Sequence, residues 1–174
     1  FVGQDDKSPD RYVTQMFQGG IGMPDRDYYL EQDDRMKGIR AKYLEHLTNV
    51  LTLAGEPNAP ARAKAVLDFE TAIAKVHWTQ IDSRDATKTY NLMPLAKLRT
   101  DASGFDWAVF LRDSGLNAAT EVNVAQPSAI NGTARLVSRA PLQVLKDQLI
   151  IRSLDQYSAV LPSAFDKESF AFYG

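Results

Sequence analysis

Two long stretches divided by a short break constrain this chain more than anything else in it. From Asp34 to about Ala54, apolar residues at Ile39, Tyr43, Leu47, Val50, Leu51 and Ala54 recur at three- and four-residue spacing, the pattern of an amphipathic helix. Gly55 followed by Pro57 closes it, because glycine ends helices readily and proline cannot continue one. A second helix is expected from about Pro60 to Ile81. Its stripe is Ala65, Val66, Phe69, Ala72, Ile73 and Val76, with Arg62, Lys64, Asp68 and Lys75 off it. Two long helices on a short link predict an antiparallel hairpin. A chain of 174 residues is large enough to bury a core around such a pair and is the size of one domain.

The flanking segments add smaller elements. Phe1-Val2-Gly3, a polar turn over Gln4 to Asp10, and Tyr12 to Met16 read as two strands of a hairpin. Gly19, Gly20 and Gly22 interrupt that pattern. Pro24 with Asp25-Arg26-Asp27 suits a turn into a short helix whose apolar side is Tyr28, Tyr29 and Leu30. Asp82 to Met93 has no periodicity and is expected to be a loop, whereas Pro94 to Leu98 and Asp106 to Leu111 resemble short helices. Glu121 to Val124 suits a strand or an extended connection, and a short turn is expected between Pro127 and Pro141. Pro141 is placed to start another long helix, marked by Leu142, Leu145, Leu149, Leu154, Tyr157 and Leu161 and ended by Pro162. Ser163 is positioned to cap a last segment carrying Phe165, Phe170 and Phe172. The expected fold is mainly α: one helical lobe over residues 1–174 with a long antiparallel helix pair, five to seven helices in all, and a small β-hairpin near the N-terminus.

Composition excludes several function classes. The net charge is −2 with both signs interspersed, so no basic stripe exists to follow a nucleic acid, and no nucleic-acid partner is expected. Apolar runs such as Leu149-Ile150-Ile151 are far shorter than the ~20 residues of a membrane helix, so no membrane contact is expected from this segment. The absence of cysteine removes disulfides, thiolate zinc sites and a cysteine nucleophile. Phe1-Val2-Gly3-Gln4-Asp5-Asp6 lacks the basic start and long apolar core of a signal peptide, and reads as the inside of a longer chain.

Candidate chemistry is sparse. The only histidines, His46 and His77, lie on separate helices, so the helical zinc motif, which needs two imidazoles on one face with a glutamate base, is absent. Glu45 or Glu70 could join a histidine in a mixed site, but surface or boundary positions are the expectation for both histidines. Asp5-Asp6 and Asp33-Asp34 could do acid/base work, yet both fall where aspartate caps backbone amides. Gly19-Gly20-Ile21-Gly22 lacks the lysine of a phosphate loop and reads as a turn. Asn131-Gly132-Thr133 matches a glycosylation acceptor, a pattern common by chance. Tyr28, Tyr29, Trp78, Trp107, Tyr157, Phe170, Phe172 and Tyr173 could line a peptide groove, although core packing is the expectation for most.

One segment is more specific. Gly20-Ile21-Gly22-Met23-Pro24-Asp25-Arg26-Asp27-Tyr28-Tyr29-Leu30 resembles the Gly-Leu-Gly-Leu-Pro-x-Arg-Asp-Tyr-Tyr signature of the neprilysin and endothelin-converting-enzyme family of zinc metalloendopeptidases, including bacterial oligopeptidases. The likeness continues through Phe1 to Lys7 before it, then Glu70 with Ile73-Ala74, Trp78, Arg84-Asp85 and Tyr90-Asn91, to Phe172-Tyr173-Gly174. It is weakest between Ala118 and Arg139, and a tryptophan frequent in the family near Ile151 or Arg152 is missing.

The resemblance implies the central part of the N-terminal lobe of a secreted or periplasmic peptidase. In that family this lobe covers the zinc-bearing catalytic lobe and admits only oligopeptides. No catalytic or metal residue of the family has a counterpart here, so zinc and the peptide substrates belong to the parent, and the partner of this segment is the remainder of the same polypeptide. Gly20, Gly22, Pro24, Arg26, Asp27, Tyr28 and Tyr29 are read as structural: glycines for the turn, Pro24 for the helix start, the tyrosines as anchors. Apolar surface left open on the isolated segment is expected to favour self-association. The alternatives are a stand-alone helical module that binds peptides or proteins without cleaving them, and an independent enzyme built on His46 or His77.

Overall fold

The computed structural model describes residues 1–116 and 118–174. In chain order its elements are β1 (Val2–Asp5), β2 (Ser8–Met16), α1 (Asp27–Leu30), α2 (Asp34–Leu53), α3 (Ala59–Val76), α4 (Gln80–Ser83), α5 (Ala86–Thr89), β3 (Leu92–Pro94), α6 (Leu95–Asp101), α7 (Trp107–Asp113), β4 (Glu121–Val124), α8 (Pro127–Arg139), α9 (Leu142–Gln156), a 3-10 turn (Ser158–Val160) and α10 (Ser163–Tyr173). The protein is mainly α with a small sheet. Its contacts divide it into two compact units, one of residues 1–20 and 76–139 and one of residues 21–75 and 140–174.

In the first unit the hairpin turn is tighter than the polar run suggested. The Asp5 carboxylate accepts from Lys7 N at 3.0 Å and Arg11 Nε at 2.7 Å, so the chain reverses within two residues and β2 begins at Ser8. The four-stranded sheet has the order β1-β2-β4-β3, with β2 and β4 parallel. Gln15 lies opposite Asn123 in that register, and Asn123 Nδ2 donates to Gln15 Oε1 at 2.8 Å while Asn123 Oδ1 accepts from Asn91 N at 2.6 Å. A slip of one strand by one residue would turn one of the two amides to the other face and part the pair, so this buried pair favours the observed register. On the opposite face Val122 and Val124 join Leu95, Leu98, Trp107, Leu111 and Ile130 in the core.

The expected loop at Asp82 to Met93 instead holds α4, α5 and β3. Thr79 and Asp85 cap the two helices through Asp82 N and Thr87 N, and such short capped turns have no period to detect. The short turn expected after Pro127 is the helix α8, which starts on that proline and buries Ala129, Ile130 and Ala134. Its Gly132 permits close packing, since a Cβ there would stand 2.8 Å from Val76 Cβ.

In the second unit α2 starts at an Asp33 cap on Met36 N, 3.1 Å away, and ends with Gly55 at φ 75°. Glu56 N then bonds back to Leu51 O at 3.0 Å, the wrapped closure that a left-handed glycine allows. Tyr43, Leu47, Val50 and Leu51 of α2 meet Ala59, Ala63, Val66 and Leu67 of α3 in one core. Tyr43 Oη reaches Glu70 at 2.9 Å. These two residues are about equally far in sequence from the connecting turn, as an antiparallel pair requires.

The buried face of α3 is Ala63, Val66, Leu67, Glu70, Ile73 and Ala74, rotated from the expected stripe through Ala65, Phe69 and Ala72. The rotation turns small alanines and Glu70 inward, where close packing and hydrogen bonds outweigh the hydrophobicity of Phe69. The α3 helix also ends earlier than expected, at Val76, because Gln18 Oε1 takes Trp78 N at 2.7 Å and Thr79 opens α4. Similarly α9 stops at Gln156, and α10 has Pro162 rather than Ser163 at its cap position, with no side-chain bond.

Candidate functional site

The signature segment is organised around one carboxylate. Glu70 on α3 is fully buried. Its Oε2 accepts from Tyr29 Oη at 2.7 Å, Tyr43 Oη at 2.9 Å and Gly22 N at 3.2 Å, and its Oε1 accepts from Gln148 Nε2 at 3.2 Å. A buried carboxylate without a cation is tolerable only when donors surround it, and here four do. Tyr29 Oη in turn accepts from Gly22 N at 3.0 Å and Met23 N at 2.9 Å. The loop from Gly22 to Met23 is thereby tied to α1, α2, α3 and α9 through two phenols and one carboxylate.

The signature residues differ in what they do locally. Gly20 has φ 91°, a conformation glycine adopts without penalty. Gly22 is required for space: a Cβ there would overlap Tyr43 Oη and stand 3.1 Å from Arg152 Nη1. Pro24 is exposed ahead of α1. Asp27 N donates to Asp25 Oδ1 at 2.8 Å, and Tyr28 O accepts from Arg40 Nη1 at 2.9 Å. Arg26 occupies the position before α1, and its buried Nε has no partner among the described residues. The Tyr29 and Tyr43 phenols are held well above the ordinary tyrosine range, by burial first and by the Glu70 charge second. They act as donors and do not ionise. Glu70 is sealed from solvent, and its bonds hold the Gly22 backbone and the two phenols in place.

Both histidines are buried, against the expectation of surface or boundary positions. His46 lies between Glu168 Oε1, 3.1 Å from Nδ1, and Asp155 Oδ1, 3.1 Å from Nε2. His77 Nε2 lies 3.1 Å from Gly19 O. A buried imidazole meets its hydrogen-bonding demand through such protein partners rather than through water. No group of three or more metal-ligating side chains is found among the described residues. The two carboxylates beside His46 sit at opposite ring nitrogens, so they do not converge on a point where an ion could bind, and these residues do not fit zinc.

Other sequence candidates resolve by placement. Asp5 and Asp33 cap backbone amides as described above. Asn131 and Thr133 lie inside α8, with Thr133 Oγ1 buried and unbonded among the described residues, which does not suit an acceptor loop. Of the aromatic residues, Tyr29 and Trp107 are core, Phe172 packs on the core, and Tyr157, Phe170 and Tyr173 are exposed. The sequence reading overlooked one cluster: Arg62, assigned to the solvent face, grips the buried Asp147 with Nε to Oδ2 at 3.0 Å and Nη2 to Oδ1 at 2.5 Å. A signal existed, since Asp147 falls between Val144 and Ile151 at the three- and four-residue spacing of the inner face of α9.

Residues 1–174 match the family model for the N-terminal part of peptidase family M13. The chain belongs to this family. It is 35% identical over 126 residues to an endothelin-converting enzyme homolog of Locusta migratoria, covering 70% of this chain and 17% of that protein. With neprilysin-3 of Drosophila melanogaster it shares 33% identity over 108 residues, 61% of this chain and 14% of the other. Among solved structures, the inhibitor complex of the Mycobacterium tuberculosis zinc metalloprotease Zmp1 matches with a TM-score of 0.93 at 31% identity, covering 100% of this chain and 27% of that one. The chain thus spans well under a third of the M13 proteins it resembles, and corresponds to part of their N-terminal domain.

Proposed function

We propose that this chain is the non-catalytic part of an M13 zinc metalloendopeptidase that encloses the active-site chamber and restricts entry to oligopeptides. The match of all 174 residues to the N-terminal family model carries the reading. It is supported by the Glu70 network, in which the Gly22 and Met23 amides and the Tyr29 phenol hold the loop in place, and by histidines whose partners leave no ligand set for zinc. In this reading the zinc and the residues that activate water reside in the remainder of the polypeptide, which is also the partner this segment packs against. The parent is periplasmic or secreted, where oligopeptides are its substrates.

The test is a length ladder of peptides cleaved by the parent polypeptide. Cleavage is expected for short peptides and to fall away sharply with length, with no cleavage of a folded protein, while the 174-residue chain alone is inactive. A parent that hydrolyses an unfolded protein as fast as a short peptide overturns the confinement role. Hydrolysis or stoichiometric zinc in the isolated chain overturns the non-catalytic assignment.

A further inference from the structure

Among the buried titratable groups, His46 is the one whose geometry demands a particular protonation state. Its ring is almost fully buried on α2, with Glu168 of α10 at Nδ1 and Asp155 of α9 at Nε2, each 3.1 Å away. A neutral imidazole carries one N–H and one lone pair, whereas a carboxylate presents only lone pairs. Both contacts are satisfied together only if both nitrogens carry hydrogen. The shared proton rests on the ring because imidazole is more basic than a carboxylate by roughly two pH units.

The same ring is a polar attachment of α10, beside the packing of Phe172 on Tyr43 at 5.3 Å. That helix buries no residue of its own. Phe172 stacks on the imidazole at 4.9 Å and 14°, a position in which the face of an aromatic ring favours a cation, and Tyr173 lies perpendicular to the imidazole at 5.3 Å. Glu168 Oε2 also accepts from Asn49 Nδ2 at 3.1 Å, and Tyr173 Oη approaches Asp155 Oδ2 at 3.4 Å. The other charged groups nearby do not replace the proton. Lys42 and Glu45 line the same cleft from α2 but are exposed and of opposite sign, while Arg152 on α9 and Glu70 on α3 act on the Tyr173 phenol.

We propose that His46 is a proton-operated clamp: as an imidazolium it ties α10 and α9 to α2, and loss of its single proton leaves one carboxylate facing a bare ring nitrogen and releases α10. The energetics agree with the geometry. Burial alone would push the imidazole below its ordinary value of 6.5, but hydrogen bonds and charge from Asp155 and then Glu168 outweigh it and raise the group. A raised folded value means that the clamp is fully closed below about pH 6.5 and opens as pH rises through the folded pKa. Release is therefore alkaline.

The test follows the ring nitrogens of His46 by NMR from pH 6 to pH 10 in the 174-residue chain, with amide exchange of α10 and α3 corrected for intrinsic rate. Both nitrogens are expected to be of imidazolium type near neutrality. Protection of α10 should then fall selectively as the ring titrates, about tenfold for each pH unit by which folding raised the pKa. Glu168→Gln supplies the discriminating variant, because its amide can turn an N–H toward the unprotonated Nδ1. It is expected to lower the His46 midpoint and to remove the alkaline loss of α10 protection while the helix stays docked. A neutral ring at pH 7 overturns the proposal. So does a loss of α10 protection at the same pH in the wild type and Glu168→Gln.

Discussion

Replacing Gly22 with alanine tests the signature segment most directly. The new methyl would overlap Tyr43 Oη and lie 2.9 Å from Tyr43 Cζ, and Tyr43 is fully buried. Forcing a methyl into such packing costs about 1–3 kcal/mol. Displacing the Tyr43 hydroxyl also takes one donor from the Glu70 carboxylate, adding roughly 1–2 kcal/mol. A total of about 2–5 kcal/mol corresponds to a fall in Tm of roughly 4–20 °C for a chain of this size. The assay is thermal unfolding by circular dichroism of the wild type, Gly22→Ala, Tyr43→Phe and the double variant. Tyr43→Phe removes the overlapping oxygen, so in that background the alanine should cost only about 1 kcal/mol, a coupling of about 1–4 kcal/mol. Equal cost of Gly22→Ala in both backgrounds would refute the steric account.

Three further outcomes are expected. Arg62→Ala leaves Asp147 buried without its cation and should destabilise by about 2–4 kcal/mol at neutral pH. Burial works against the charged Asp147, but its bonds to Arg62 and Gln143 outweigh this and hold the carboxyl below its ordinary 3.8. Its contribution is present above that value and lost as pH falls through the folded one, so the Tm gap between wild type and Arg62→Ala should narrow toward pH 3, and a gap constant with pH contradicts the assignment. Gly132→Ala should cost about 1–3 kcal/mol by overlap with Val76, measured by urea unfolding, and Val76→Ala should relieve only part of it, since alanine keeps the Cβ that stands 2.8 Å from the new methyl. Asn123→Leu leaves Asn91 N and Gln15 Oε1 unpaired in the sheet and should cost about 2–4 kcal/mol, with local loss of amide protection in β2 and β4; unchanged protection there argues against a register role.

How far the sequence could be read follows from the kind of interaction involved. The helices α2, α3 and α9 were legible because an apolar stripe repeats along a single element. Their ends were less so: α3 stops at Val76 because Gln18, far away in the chain, accepts from Trp78 N. The helix α8 was missed because Pro127 and the Asn131-Gly132-Thr133 run score as turn residues locally. They become helical where Gly132 can sit against Val76 and Ile130 can reach the core. The signature could be recognised and its glycines explained as turn formers, but Gly22 is needed for the space of Tyr43 rather than for its own backbone angles.

By itself the sequence determined that the chain would be mainly helical around an antiparallel pair and that it carries the signature of a peptidase family. Those properties reside in periodicity and in consecutive residues. The tertiary structure decided what the polar residues do. Glu70 became the centre of the signature, Arg62 the partner of a buried aspartate, and His46 a cation held between two carboxylates. Burial changes the energy of a charge or a hydrogen bond far more than any local pattern does, and burial is set by which distant segments meet.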